Sequence, residues 1–108
     1  MPFAEPRLLH SRAYIDGIWV AADDGRMMPV HDPASGETIG QVPLLGAVES
    51  ERSIDAAARA LPAWQAKTAK ERALLLRRWY ELILAESESL AQLITAECGK
   101  PLAEARGE

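Results

Sequence analysis

Several ingredients of common active sites are scarce in this chain. It holds one cysteine, Cys98, so no disulfide can close within it. A lone thiol in an acidic chain fits a reducing compartment, and a cytoplasmic location is the expectation. Its two histidines, His10 and His31, stand apart from each other and from Cys98, so transition-metal spacing is missing. Aromatic residues make up 6% of the chain, and Trp19, Trp64 and Trp79 read as core or interface residues rather than a stacking platform for bases. The longest aliphatic runs, Leu74-Leu75-Leu76 and Leu82-Ile83-Leu84, fall far short of the roughly 20 residues that span a bilayer. Glu5, Arg7, His10 and Arg12 leave no room for the apolar stretch of a signal peptide. No glycine-rich phosphate cradle occurs. A net charge of −4 gives no electrostatic reason to expect nucleic acid or an anionic membrane as partner.

What is present is an ordinary globular composition, 48% hydrophobic over 108 residues, enough for one domain. The sequence changes character near Gly46. Ahead of it, Ala13-Tyr14-Ile15 and Ile18-Trp19-Val20 flank the tight-turn pair Asp16-Gly17. Further turn signals follow at Asp23-Asp24-Gly25 and Asp32-Pro33-Ala34-Ser35-Gly36, with extended pieces at Met27–His31 and Thr38–Pro43. Residues 13–43 therefore read as a small antiparallel sheet, which alone would be marginal in water.

Beyond Gly46 the pattern is helical. Ile54, Ala57, Ala58 and Leu61 recur at helical spacing, and Pro62 is expected to break that helix. Thr68-Ala69-Lys70-Glu71 has the form of a capping box opening a helix that carries Arg72, Leu75, Leu76, Trp79, Leu82 and Ile83 along one side. Arg72, Arg77 and Arg78 lie among Glu71, Glu81 and Glu86, a solvated face. Ser87 or Ser89 is expected to cap a helix bearing Leu90, Leu93, Ile94 and Cys98, with Gly99 stopping it and Pro101 suited to the first position of the next. The residues 101–108 start a further helix only one or two turns long. So short a helix persists poorly alone, which makes the chain read as a piece of a longer protein.

The residues offer little chemistry by themselves. Cys98 has Lys100 nearby to favour a thiolate, yet it continues an apolar helix face where cysteine acts as a small hydrophobe. The acid pairs Asp23-Asp24 and Glu86-x-Glu88 are explained by turns and a solvated face as well as by acid–base work. Two readings stay open beside the favoured one: a stand-alone small helical protein-interaction module without catalytic activity, and a small thiol-dependent enzyme built on Cys98.

Five stretches, in order, resemble the aldehyde dehydrogenase family. Tyr14-Ile15-Asp16-Gly17-Ile18-Trp19 is similar to its hydrophobe-(Asn/Asp)-Gly-x-Trp opening. Asp32-Pro33-Ala34-Ser35-Gly36-Glu37 is similar to its Asn-Pro-(Ala/Ser)-(Thr/Ser)-Gly-Glu loop. Ile54-Asp55-Ala56-Ala57 through Ala60-Leu61-Pro62-Ala63-Trp64 resembles a helix running into a tryptophan. Thr68-Ala69-Lys70-Glu71-Arg72 together with Glu97-Cys98-Gly99-Lys100-Pro101-Leu102-Ala103-Glu104-Ala105 is similar to the succinate-semialdehyde branch. The resemblance covers residues 13–108.

The resemblance implies an α+β piece, a small N-terminal antiparallel β-sheet followed by three to four helices. Residues 1–12 would be a tail, and 13–108 the N-terminal part of a Rossmann-like cofactor-binding domain, with 13–45 its sheet region and 46–108 its helical region. It implies an NAD- or NADP-dependent oxidoreductase, dimeric or tetrameric when complete, that turns an aldehyde, succinate semialdehyde foremost, into a carboxylic acid. The family's nucleophilic cysteine, general-base glutamate and cofactor turn match nothing here, so no catalytic or cofactor-binding residue is assigned and this piece alone is expected to be inactive. One family feature reaches the chain: a structural Na⁺ or K⁺ held by main-chain oxygens and an acidic side chain, at positions matching Val30, His31 and Glu97.

Overall fold

The computed structural model describes residues 8–108. Residues 1–7, and with them most of the expected tail at 1–12, lie outside the described part. Two β-ribbons come first. Strands β1 (Ala13–Ile15) and β2 (Ile18–Val20) pair antiparallel, Tyr14 opposite Trp19. Asp16 and Gly17 between them have φ of 54° and 77°, the doubly positive turn whose twist suits a two-residue hairpin. Strands β3 (Met27–His31) and β4 (Thr38–Pro43) form the second ribbon. Pro29 is tolerated in β3 because each strand of a two-stranded ribbon keeps a free edge.

The single small sheet expected over 13–43 is thus two separate ribbons. The turn at Ala22–Gly25, closed by the Gly25 N–H donating to the Ala22 carbonyl at 2.9 Å, separates them. The first ribbon docks instead on α1 (Ala47–Gln65). Three polar contacts hold it there. Arg59 bonds Asp16 at 3.1 Å, Arg52 pairs with Asp23, and the Glu49 carboxylate accepts the amides of Asp23 at 2.9 Å and Gly46 at 3.0 Å. Glu49 is 6% exposed, and these amides, that of Asp23 foremost, hold its carboxyl below the ordinary range. Because glycine has no side chain to return the bond, Glu49 supplies only the reaching-back half of a capping box.

Helix α1 runs through Pro62 rather than breaking there. The proline stands in the last turn, where its missing donor and its clash with the preceding turn disturb little more helix, and its carbonyl still accepts from Ala66 at 3.1 Å. Helix α2 (Ala69–Ala85) begins with the complete box: Thr68 Oγ1 accepts from Glu71 N at 3.2 Å and Glu71 Oε2 accepts from Thr68 N at 2.7 Å. Helix α3 (Ser87–Cys98) follows after Glu86. Neither serine caps it: Ser87 is already its first residue, and the N-cap Glu86 offers no side-chain cap bond. Gly99 ends α3 at φ 75°. Helix α4 (Leu102–Ala105) is one turn, with Pro101 at its N-cap rather than its first position.

Among the described residues, the buried hydrophobic side chains are all alanine: Ala22, Ala56, Ala91, Ala96 and Ala105. On α1 Ala56 is buried and Ser53 half-buried beside the first hairpin, and Ala57 of the expected core face lines the same crevice, while Ile54 and Leu61 of that face stay more than half exposed. Helix α2 buries nothing. With Cα extents of 47 × 36 × 19 Å, the chain is a slab with many large apolar side chains exposed.

Candidate functional site

The second ribbon is irregular at one place. Val30 faces Gly40 and His31 faces Thr38, which leaves Ile39 opposite nothing, a β-bulge. A cavity of about 230 Å³ opens there, lined by Val30, Ile39 and Gly40 from the bulge, by His10 and Ser11 from the approach to β1, and by Glu97 from the last turn of α3. Two of the three residues matched to a cation site, Val30 and Glu97, therefore line one cavity. His31 is not among the lining residues; its ring Nδ1 lies 3.3 Å from Thr38 Oγ1 on the exposed side. At the bulge the ladder is interrupted between Val30 and His31, and Glu97 is the acidic side chain among the residues lining the cavity. Among the described residues no cluster of three His, Cys, Asp or Glu side chains could hold a metal, so main-chain oxygens would have to supply the rest.

The loop beside this cavity is closely built. Asp32 Oδ1 accepts from Ala34 N at 2.8 Å, its carbonyl accepts from Gly36 N at 2.8 Å, and its amide donates to the Glu37 carbonyl at 2.9 Å. An Asp at the head of an Asp-Pro turn does this because its short carboxylate reaches the amide two residues on. The ring of Pro33 then leans on the end of α3: a Cβ at Gly99 would stand 3.1 Å from Pro33 Cγ. Two stretches read separately in the sequence, the Asp-Pro loop and the Gly-Lys-Pro turn, thus form one contact.

The other sequence candidates are engaged in structural contacts. Cys98 is exposed and its Sγ donates to the Ile94 carbonyl at 3.0 Å, an ordinary helical back-bond. Lys100, the cation expected to favour a thiolate, pairs with Glu108 instead. Asp24 pairs with Arg26 at 2.6 Å, and Arg77 with Glu81 at 3.1 Å along α2. Glu88 and Arg106 pair in two parallel bonds of 2.8 and 2.9 Å; this bridge keeps the Glu88 carboxyl low and the Arg106 guanidinium high. Sequence reading missed Glu49, since a lone glutamate three residues into a helix looks like any solvated acid. It also missed the stacking of His10 on Trp19, 3.8 Å between ring centroids. Among the described residues no helix is long and apolar enough to cross a membrane.

Comparison with known proteins agrees with this picture. The aldehyde dehydrogenase family profile matches residues 19–108. A glutarate-semialdehyde dehydrogenase of Pseudomonas aeruginosa is 54% identical over the whole chain, and the succinate-semialdehyde dehydrogenase [NADP(+)] of Escherichia coli is 49% identical over the same span. The crystal structure of succinate-semialdehyde dehydrogenase from Burkholderia pseudomallei superposes on 97% of the chain with a TM-score of 0.93 at 52% identity. In each case the chain spans 22% of the longer protein's length. With a profile match over most of its residues and near-half identity end to end, the chain belongs to the aldehyde dehydrogenase family.

Proposed function

We propose that the chain is the N-terminal segment of an NAD(P)-dependent aldehyde dehydrogenase that oxidises succinate semialdehyde to succinate in the cytoplasm, as a homo-oligomer, and that the segment alone is inactive. The observation that carries the reading is the end-to-end identity, 49 to 54%, with two enzymes named for dicarboxylic semialdehydes. Its physical counterpart is burial: among the described residues the buried hydrophobic side chains are alanines, which supports reading the chain as one layer of a larger domain. Residues 13–45 would serve as its ribbon region and 46–108 as helices over a Rossmann-like sheet supplied by the rest.

In this reading the cavity at the bulge holds a structural Na⁺ or K⁺. Val30 and Glu97 line it, and the His31 carbonyl stands at the adjoining ladder position. The cation would join the second ribbon to the end of α3 and carries no step of the reaction. Two experiments test the proposal. Purified full-length enzyme is assayed for reduction of NAD⁺ and NADP⁺ with succinate and glutarate semialdehydes; preference for the four-carbon substrate is expected, and preference for the five-carbon substrate, or turnover of neither, refutes the substrate assignment. Crystals soaked in Rb⁺ or Tl⁺ should show anomalous density beside Glu97, and its absence removes the cation from the account.

A further inference from the structure

Part of the cavity at the bulge is lined by a stretch without regular structure. Residues 9–12 belong to no helix or strand, yet Leu8, Leu9, His10 and Ser11 all line the cavity. Leu8 and Leu9 are half-buried, whereas the large apolar side chains of α2 are exposed. Among the described residues no hydrogen bond joins residues 8–11 to the second ribbon. Against that ribbon this lining is held by packing alone.

Its middle is fixed elsewhere. The His10 ring lies on Trp19 of β2, 3.8 Å between centroids and 11° between planes. Trp19 stands opposite Tyr14 in the hairpin, their rings 5.0 Å apart, so the stack rests on a cross-strand aromatic pair. That hairpin is in turn bound to α1 through Glu49, Arg52 and Arg59. His10 therefore serves two parts of the fold. Its ring belongs to the first ribbon, and the residue lines a cavity built from the second ribbon and the end of α3.

We propose that residues 8–11 are a strap that closes this cavity, latched by the stacking of His10 on Trp19, and that release of the latch opens the cavity to a small solute. The strap rests on this geometry; its cargo, a Na⁺ or K⁺, rests on the reading given under the proposed function. A segment with few hydrogen bonds and little buried apolar surface opens locally while the rest of the fold stays closed. One aromatic pair shifts such an opening equilibrium by a factor of about 2 to 12. That is enough to keep the strap closed most of the time and too little to lock it. The latch acts at a distance from the solute, because it grips the first ribbon and not the second.

The test uses the full-length enzyme carrying Ile39→Cys, a half-buried position that lines the cavity, and measures its alkylation by iodoacetamide from the mass of the peptide holding residue 39. Adding His10→Ala should speed this alkylation about 2- to 12-fold. His10→Phe, which keeps a ring on Trp19, should leave it unchanged. Thr38→Cys, exposed and outside the cavity lining, should react at one rate in all three backgrounds. Equal rates at residue 39 with and without His10→Ala would overturn the proposal, as would acceleration by His10→Phe or an equal acceleration at residue 38. Where the Ile39→Cys background does not fold, hydrogen exchange over residues 39–42 in the single His10 variants makes the same comparison. Rb⁺ density beside Glu97 in soaked crystals is read separately. Its absence together with the expected alkylation pattern refutes the cation and leaves the strap standing.

Discussion

Replacing Gly99 by alanine strains the joint between the Asp-Pro loop and α3 in two separable ways. At φ 75° an L-residue sits in the left-handed region, which costs about 1–2 kcal/mol. The added Cβ also stands 3.1 Å from Pro33 Cγ, and moving the proline ring or the turn by a few tenths of an ångström raises the total to roughly 1.5–3 kcal/mol. The Gly99 amide donates to the Thr95 carbonyl at 2.9 Å, so hydrogen exchange there reports opening of the joint directly. In the full-length enzyme, G99A should exchange about 10- to 100-fold faster at this amide, since 1.4 kcal/mol is a factor of ten. G99N should show a smaller effect, because asparagine tolerates this backbone. The double variant P33A/G99A should recover only the contact part. Unchanged exchange in G99A, or full recovery on removing Pro33, would refute the reasoning.

Other outcomes follow from the same contacts. Thr68→Ala removes one half of the α2 capping box and should cost about 1 kcal/mol, with Thr68→Ser close to wild type; equal stabilities by denaturant titration would contradict the cap's role. Glu49 has its folded-state pKa lowered from an ordinary value of 4.5, so its contribution is present above that value and is lost as pH falls through the folded pKa. Exchange at the Asp23 and Gly46 amides should accordingly rise only in acid, and Glu49→Gln should raise it at neutral pH and flatten the dependence. The isolated 108 residues should melt without cooperativity and self-associate on a sizing column. They expose 7985 Å², where a compact protein of 11.8 kDa exposes about 5,900 Å². Even half of that excess, at about 25 cal/mol per Å² of its apolar share, forgoes on the order of 15 kcal/mol, as large as a typical domain's whole stability. A sharp monomeric melt would contradict it.

Local signals in the sequence carried the elements well. Asp16-Gly17 placed a hairpin because the turn demands two positive φ values, and Thr68 with Glu71 placed the start of α2 because the box is a local arrangement. Pro62 misled, since a proline's effect depends on how many turns of helix follow it. The ribbons were read as one sheet because strand pairing between distant pieces leaves no local mark. The largest gap concerns burial. Ile54 and Leu61 have core spacing, yet the surface that would bury them is not among the described residues, and helical periodicity records only that a face is apolar. At the bulge, Val30 and Glu97 were suggested by resemblance alone. Nothing in their residue types announces that a strand and a helix end, so far apart in sequence, meet at one cavity.

The central claim, that these residues are one layer of an aldehyde dehydrogenase, is tested most directly by the absorbance of reduced nicotinamide. The longer polypeptide and residues 1–108 alone are each mixed with succinate semialdehyde and NAD⁺ or NADP⁺. The account predicts aldehyde-dependent reduction by the longer polypeptide and none by the 108 residues. No reduction by the longer polypeptide, or turnover by the 108 residues alone, would contradict it.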